Sequence, residues 1–189
     1  MPSTFTRRAF VVGAPLALVA CSAESVWAPE AVVTAALYRS VGPSALTLFT
    51  VKNTRTGNGA HTALLVDASQ RVLFDPAGSF QAAVIPERND VLFGFSPQAE
   101  QAYISYHSRT DYFVIVQYVA VPAEVAETAL RLTIANGAVP KANCARATSA
   151  ILDQLPGFAN IGGTWFPNNL SDDFEQISGV QANEVREQD

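Results

Sequence analysis

The 189-residue chain has two cysteines, Cys21 and Cys144, in segments of very different character. Cys21 ends an apolar N-terminal run, and Cys144 lies deep in the mixed sequence that follows. The two are therefore spent separately, and Cys144 is left without a disulfide partner. The fold must then be held by its own core. Roughly 165 residues remain beyond Cys21, enough for one domain with a sizeable core.

The N-terminal run carries Arg7 and Arg8 and then an apolar stretch over residues 9–20. It is short of the roughly 20 apolar residues that a spanning helix needs. Its length and flanks fit a signal peptide over residues 1–21, to be set aside from the fold. The run Thr6-Arg7-Arg8-Ala9-Phe10-Val11-Val12 resembles a twin-arginine export signal. Leu18-Val19-Ala20-Cys21 resembles a bacterial lipobox. That resemblance implies a diacylglycerol on the Cys21 thiol and cleavage that leaves Cys21 as the new N-terminus. The lipid would tether the chain to a membrane without a spanning helix. Ser22 follows instead of Asp, which in lipoproteins of that type favours the outer membrane. The implied location is the bacterial envelope, lipid-anchored and facing the periplasm. An ordinary signal peptide with a chance cysteine is the plainer alternative.

Beyond Cys21 stand 17 acidic residues against ten basic ones, a net charge of −7. With no basic run, nucleic acid is not an expected partner, because phosphate binding relies on clustered Lys and Arg. Two histidines, His61 and His107, and no Cys-x-x-Cys or His-x-x-x-His spacing give no metal-ligand cluster. No phosphate-cradling glycine loop occurs. Neither a metal nor a cofactor is expected.

Patterning divides the remainder into a tether over residues 22–42, a domain over residues 43–175 and a polar tail over residues 176–189. The tether holds a helical turn or two near residues 31–38. Alternation and β-rich composition predict strands over residues 45–51, 60–67, 70–75 and 111–121. The run of turn residues at 53–59 joins the first two. Helices are expected from Ser96 or Pro97 to Tyr106, from Pro122 to Asn136 with Gly137 ending it, and from Cys144 to Leu155 with Asn143 as cap. Residues 86–90 read as a turn. Trp165 and Phe166, beside Gly162-Gly163, read as core. The class is α+β, a mainly antiparallel sheet packed with helices.

His61 begins the second strand, and Asp75 ends the third. In an antiparallel hairpin the start of one strand lies beside the end of the next, so the two side chains can meet. A carboxylate beside an imidazole fixes its tautomer and stabilises the imidazolium, which suits a general base. Cys144 stands at an expected helix N-terminus, where dipole and free N–H groups favour the thiolate and can hold an oxyanion. These are the parts of a cysteine nucleophile, a histidine base and an orienting carboxylate. His107 has three readings, a dipole partner at the end of its helix, a groove residue and a rival base, and Asn143 is a second groove candidate. Ser79 and Ser149 lack the Gly-x-Ser-x-Gly setting of a serine nucleophile.

Three stretches carry a wider resemblance: Gly59-Ala60-His61-Thr62-Ala63-Leu64-Leu65-Val66, Arg71-Val72-Leu73-Phe74-Asp75 and Asn143-Cys144-Ala145-Arg146-Ala147-Thr148-Ser149. Their order resembles the circularly permuted branch of the NlpC-type papain-like fold, which includes relatives of lecithin–retinol acyltransferase. The whole sequence also resembles an uncharacterised group of proteobacterial lipoproteins. The resemblance implies a papain-like permuted arrangement and a thiol hydrolase or acyltransferase. Cys144 would be nucleophile, His61 base and Asp75 the third residue, where His or Glu is commoner. The substrate would be a cell-wall peptide or a lipid, attacked at an amide or ester bond. The competing expectation is a non-catalytic envelope lipoprotein that binds a partner or ligand on the same fold.

Overall fold

The computed structural model describes residue 23 and residues 25–186. Cys21, the run read as an export signal and the last three residues lie outside the described residues. In chain order the elements are α1 (Glu30–Ala36), β1 (Ala45–Asn53), β2 (Gly59–Asp67), β3 (Arg71–Phe74), β4 (Glu87–Arg88), β5 (Val91–Phe93), α2 (Pro97–His107), β6 (Tyr112–Ala120), α3 (Ala123–Ala135), α4 (Cys144–Leu152), α5 (Pro167–Glu175) and β7 (Gln181–Val185). The strands form one sheet in the order β4-β5-β3-β2-β1-β6-β7, and every neighbouring pair is antiparallel. The fold is α+β, as the sequence pattern predicts.

The central strands β1, β2 and β3 are buried along most of their length because both faces of the sheet are covered. Strand alternation sends Leu46 and Leu48, Leu64 and Val66, and Val72 and Phe74 to one face, where residues of α3, α4 and α5 cover them. The intervening Phe49, Val51, Ala63, Leu65 and Leu73 meet Phe80, Phe95 and the α2 residues Ala99 and Tyr103 on the other. Two polar ties set the helix positions. Gln117 Nε2 donates to the Ser171 carbonyl, and Ser171 Oγ donates back to Gln117 Oε1, both at 2.9 Å, pinning α5 to β6. Buried Arg71 donates to the Phe95 carbonyl and to Glu100, both at 2.7 Å, pinning β3 to α2.

Three expectations need correction. The stretch read as a tether is folded onto the domain from residue 25. Trp27 bridges to Arg88, whose guanidinium lies 4.7 Å from the indole centroid and also donates to the Ala28 carbonyl and Glu30. Val33 of α1 is buried, and a Cβ on Gly94 would come within 2.0 Å of the Ala36 carbonyl oxygen. Only glycine permits that approach. The stretch read as a tail contains β7, which pairs with β6 through five residue pairs. Both segments borrow their order from a free sheet edge, a ladder that local composition does not reveal. The same holds for residues 86–90, read as a turn, which contain the two-residue strand β4.

No helix among the described residues is long and apolar enough to cross a membrane.

Candidate active site

His61 owes its position to the β1–β2 hairpin. Asn53 Oδ1 accepts the N–H groups of Arg55 and Thr56 at 3.1 Å, and Gly57 supplies a positive φ of 70°. The register slips between Val51 and Lys52, because Val51 faces His61 while Lys52 faces Gly59. The extra residue, Ala60, makes a β-bulge immediately before His61, a device that re-aims a neighbouring side chain. His61 shares its face with Ala63 and Leu65, the face that α2 covers.

Asp75 follows the last residue of β3. Leu64 pairs with Phe74, so the same register carried one step on sets Asp75 against Ala63. His61 is then its diagonal neighbour, a separation that an aromatic ring can span. Asp75 Oδ1 lies 2.6 Å from His61 Nε2 and accepts the buried Tyr103 hydroxyl at 2.9 Å. A Cβ on Gly78 would fall 1.9 Å from Asp75 Oδ2, so the turn after Asp75 wraps its carboxylate too closely for any other residue.

Cys144 arrives from the opposite side. Its helix packs on the far face of the sheet, through Ala145, Ile151 and Leu152. β3 pairs only with residues 64–67 of β2, which leaves the start of β2 without a neighbour on that edge. The N-terminus of α4 meets this gap. There the Cys144 side chain interacts with His61, and the N–H groups of Thr62 and Ala145 point at its sulfur. Since Asp75 engages Nε2, the imidazole has Nδ1 left for the thiol.

The electrostatics follow from these contacts. Burial pulls the His61 proton affinity down and is the largest single influence. Hydrogen bonding to Asp75 and Cys144, with their negative charge, outweighs it and raises the pKa from 6.5 to about 10. Burial likewise pushes the Cys144 thiol up, but the His61 hydrogen bond and charge, with the two backbone N–H groups, bring it below its ordinary value of 9.0. Both shifts run toward a thiolate–imidazolium pair.

His107 stands beside this cluster. Its ring stacks on His61 with centroids 5.9 Å apart, and Nδ1 donates to the Tyr103 carbonyl at 3.0 Å. Burial lowers its pKa, which keeps it neutral beside the His61 cation. It lines, with His61, Gly78, Ser79, Tyr106 and Arg109, a pocket of about 340 Å³. Across the 75–78 turn a second cavity of about 490 Å³ is lined by Asp75, Gly78, Asp90, Val139 and Lys141. Cys144 is 8% exposed and is on the wall of neither.

Asn143 occupies the N-cap position of α4 but makes no side-chain cap, because its Nδ2 donates to the Lys141 carbonyl at 2.9 Å. It lines neither cavity. Trp165 and Phe166 are 53% and 65% exposed, so they are not core. The Arg146 guanidinium lies over Trp165 at 4.7 Å.

Two residues of the site gave little sign in the sequence. Tyr103 reads as one aromatic position of a helix, yet its hydroxyl is what holds Asp75 from below. Asp90 sits in a turn-rich stretch, yet it joins the two loops that carry the site. Its carbonyl accepts the Asp75 N–H at 2.8 Å, and its carboxylate accepts the Val139 N–H at 2.6 Å and the Ala77 N–H. Asp90, Ala77 and Ala142 all have positive φ, at 67°, 54° and 63°. Such backbone at non-glycine residues collects at sites that the surrounding structure over-determines. A positive φ at Asp is the one signal a sequence can carry, since Asp and Asn tolerate it best.

No group of three or more metal-ligating side chains occurs among the described residues. No family model matches the chain, nor does any curated protein or solved structure.

Proposed function

We propose that the domain is a thiol hydrolase or acyltransferase of the permuted papain-like kind, acting on an amide or ester bond. The supporting observation is the unbroken chain of contacts from Tyr103 through Asp75 and His61 to Cys144. The Cys144 thiolate attacks the carbonyl carbon, and the N–H groups of the first turn of α4 hold the oxyanion. Imidazolium His61 then protonates the leaving group, and an acyl thioester remains on Cys144. Water or a second acceptor takes the acyl group, with neutral His61 as base. Asp75 fixes the ring through Nε2 so that Nδ1 serves the sulfur. In this reading Cys21 carries the lipid anchor, and the substrate is a wall peptide or a lipid of the envelope.

The test is acylation by 4-nitrophenyl acetate, followed by mass spectrometry of the Cys144 peptide. A single acetyl group on Cys144 is expected in the native protein, much reduced in His61→Ala and absent in Cys144→Ser. A native Cys144 that stays unmodified and reacts only after unfolding would return it to the role of a core thiol. One observation favours that second reading, a non-catalytic envelope lipoprotein: the sulfur is nearly covered. The lipid on Cys21 is tested separately, by the mass of the mature N-terminus.

A further inference from the structure

Among the groups that line the pocket with His61, Arg109 has a charge that the fold does not use. Its Nε donates to the Tyr106 carbonyl at 3.2 Å, and no ion pair among the described residues includes it. Its backbone is fixed: Arg109 and Tyr112 exchange both N–H···O=C bonds, at 3.0 and 2.9 Å, across the turn from α2 to β6. No acidic residue lines this pocket, although the chain carries net charge −5. The remaining wall is Tyr106, Tyr112, His107 and small residues. An unpaired guanidinium facing the same cavity as a general acid is a built recognition element for an anion.

The side of the substrate follows from what else faces the pocket. His61 is on its wall and Cys144 is not. The group that protonates the leaving atom therefore opens into this space. We propose that the pocket receives the leaving-group side of the substrate, and that Arg109 binds a carboxylate or phosphate carried on it. The inference rests on the Cys144–His61 reading and narrows it to anion-bearing leaving groups. The carbon–sulfur bond forms as the Cys144 thiolate attacks. The bond from the carbonyl carbon to the leaving atom then breaks, and the His61 proton goes to that atom. The released product departs with its anion still attached.

The experiment uses three acetyl thioesters with the same acyl group. They are S-acetyl-3-mercaptopropionate, its methyl ester, and S-acetyl-2-mercaptoethyl phosphate. Thiol release and acetylation of Cys144 are followed together. The wild type should be acylated roughly tenfold faster by one or both anionic thioesters than by the methyl ester, the size of a charge-assisted hydrogen bond. The faster of the two identifies the carboxylate or the phosphate source. Arg109→Gln should erase the preference by slowing the anionic thioesters to the rate of the methyl ester, and 0.5 M salt should weaken it. No preference in the wild type, or one that survives Arg109→Gln, overturns the proposal while leaving the nucleophile intact. If none of the three acylates Cys144, the nucleophile reading itself fails. Arg109 is then judged by binding of glutarate and inorganic phosphate to Cys144→Ser, read from the His61 and His107 ring resonances. A saturable shift lost in Arg109→Gln supports an anion site, and its absence overturns one.

Discussion

The two faces of the sheet use the same alternating strands for different purposes. The face under α3, α4 and α5 is mainly aliphatic and aromatic, from Leu46 to Phe174, with the Gln117–Ser171 pair as a polar tie. The face under α2 buries a smaller aromatic cluster, and at its margin it buries Asp75, the Tyr103 hydroxyl and the His61 ring. The first face gains stability from removing apolar surface from water. The second stabilises charged and polar groups only by pairing them, because an unpaired buried charge is costly. A change on the first face should therefore alter stability and spare the thiol. A change on the second should alter the thiol with a smaller loss of stability.

The largest expected effect breaks the apolar face. Leu64→Ala should destabilise by about 2–5 kcal/mol, the range for a fully buried leucine. In denaturant unfolding the midpoint falls, while alkylation of Cys144 by iodoacetamide under native conditions keeps its pH profile. A profile that moves with Leu64→Ala would merge the two faces into one unit.

Next is Asp75→Asn. The amide holds the shape but not the charge that helps raise His61, so the imidazolium weakens and the thiol pKa climbs. The midpoint of the alkylation profile should move up toward an ordinary thiol, near about 8.5. An unmoved midpoint would remove Asp75 from the site. Tyr103→Phe is milder: it leaves Asp75 Oδ1 with His61 alone and should cost about 1–2 kcal/mol, with a small upward move of the same midpoint.

The smallest effect is the shape of stability against pH. His61 is raised from 6.5 to about 10, so by itself it contributes stability that is complete below pH 6.5 and is lost as pH rises through 10. Cys144 is lowered from 9.0, so by itself it contributes stability that is present above pH 9 and is lost as pH falls through its folded value. Above both pH 6.5 and the folded Cys144 value, and below pH 9.0, the two slopes oppose each other, because folded and unfolded chains each hold one proton across the pair. The pair's contribution is flat there and falls away on both sides. Urea midpoints measured from pH 5 to pH 10 in wild type and Cys144→Ala should differ by this plateau. A difference that climbs or falls steadily across that window would mean that thiolate and imidazolium do not coexist.

Much of the frame is legible in the residues. Alternation marks β1, β2 and β6, and Pro122 and Gly137 bracket α3. The expectation that His61 and Asp75 meet is realised, through a diagonal contact rather than a direct cross-strand pair. What is missed has one cause. The segments over residues 25–36 and 181–185 carry no strong periodicity, and they take their order from edges of a sheet already built. Trp165 and Phe166 look like core because they are large and apolar, yet both are more than half exposed, and Arg146 lies over the Trp165 ring.

The sequence alone determined the antiparallel ladder, the hairpin that sets His61, and a carboxylate one strand away, because these depend on period and turn chemistry within about 20 residues. It also set Cys144 at the head of a helix. Only the tertiary structure decided that this helix crosses to the far face and meets β2 where β3 stops. Only there do Asp90 and Tyr103 gain their contacts with the Asp75 loop, and only there does His107 stack on the His61 ring and line the pocket beside it. Proton affinity is set by desolvation and by charges a few ångströms away, and those neighbours come from chain segments that nothing local holds together.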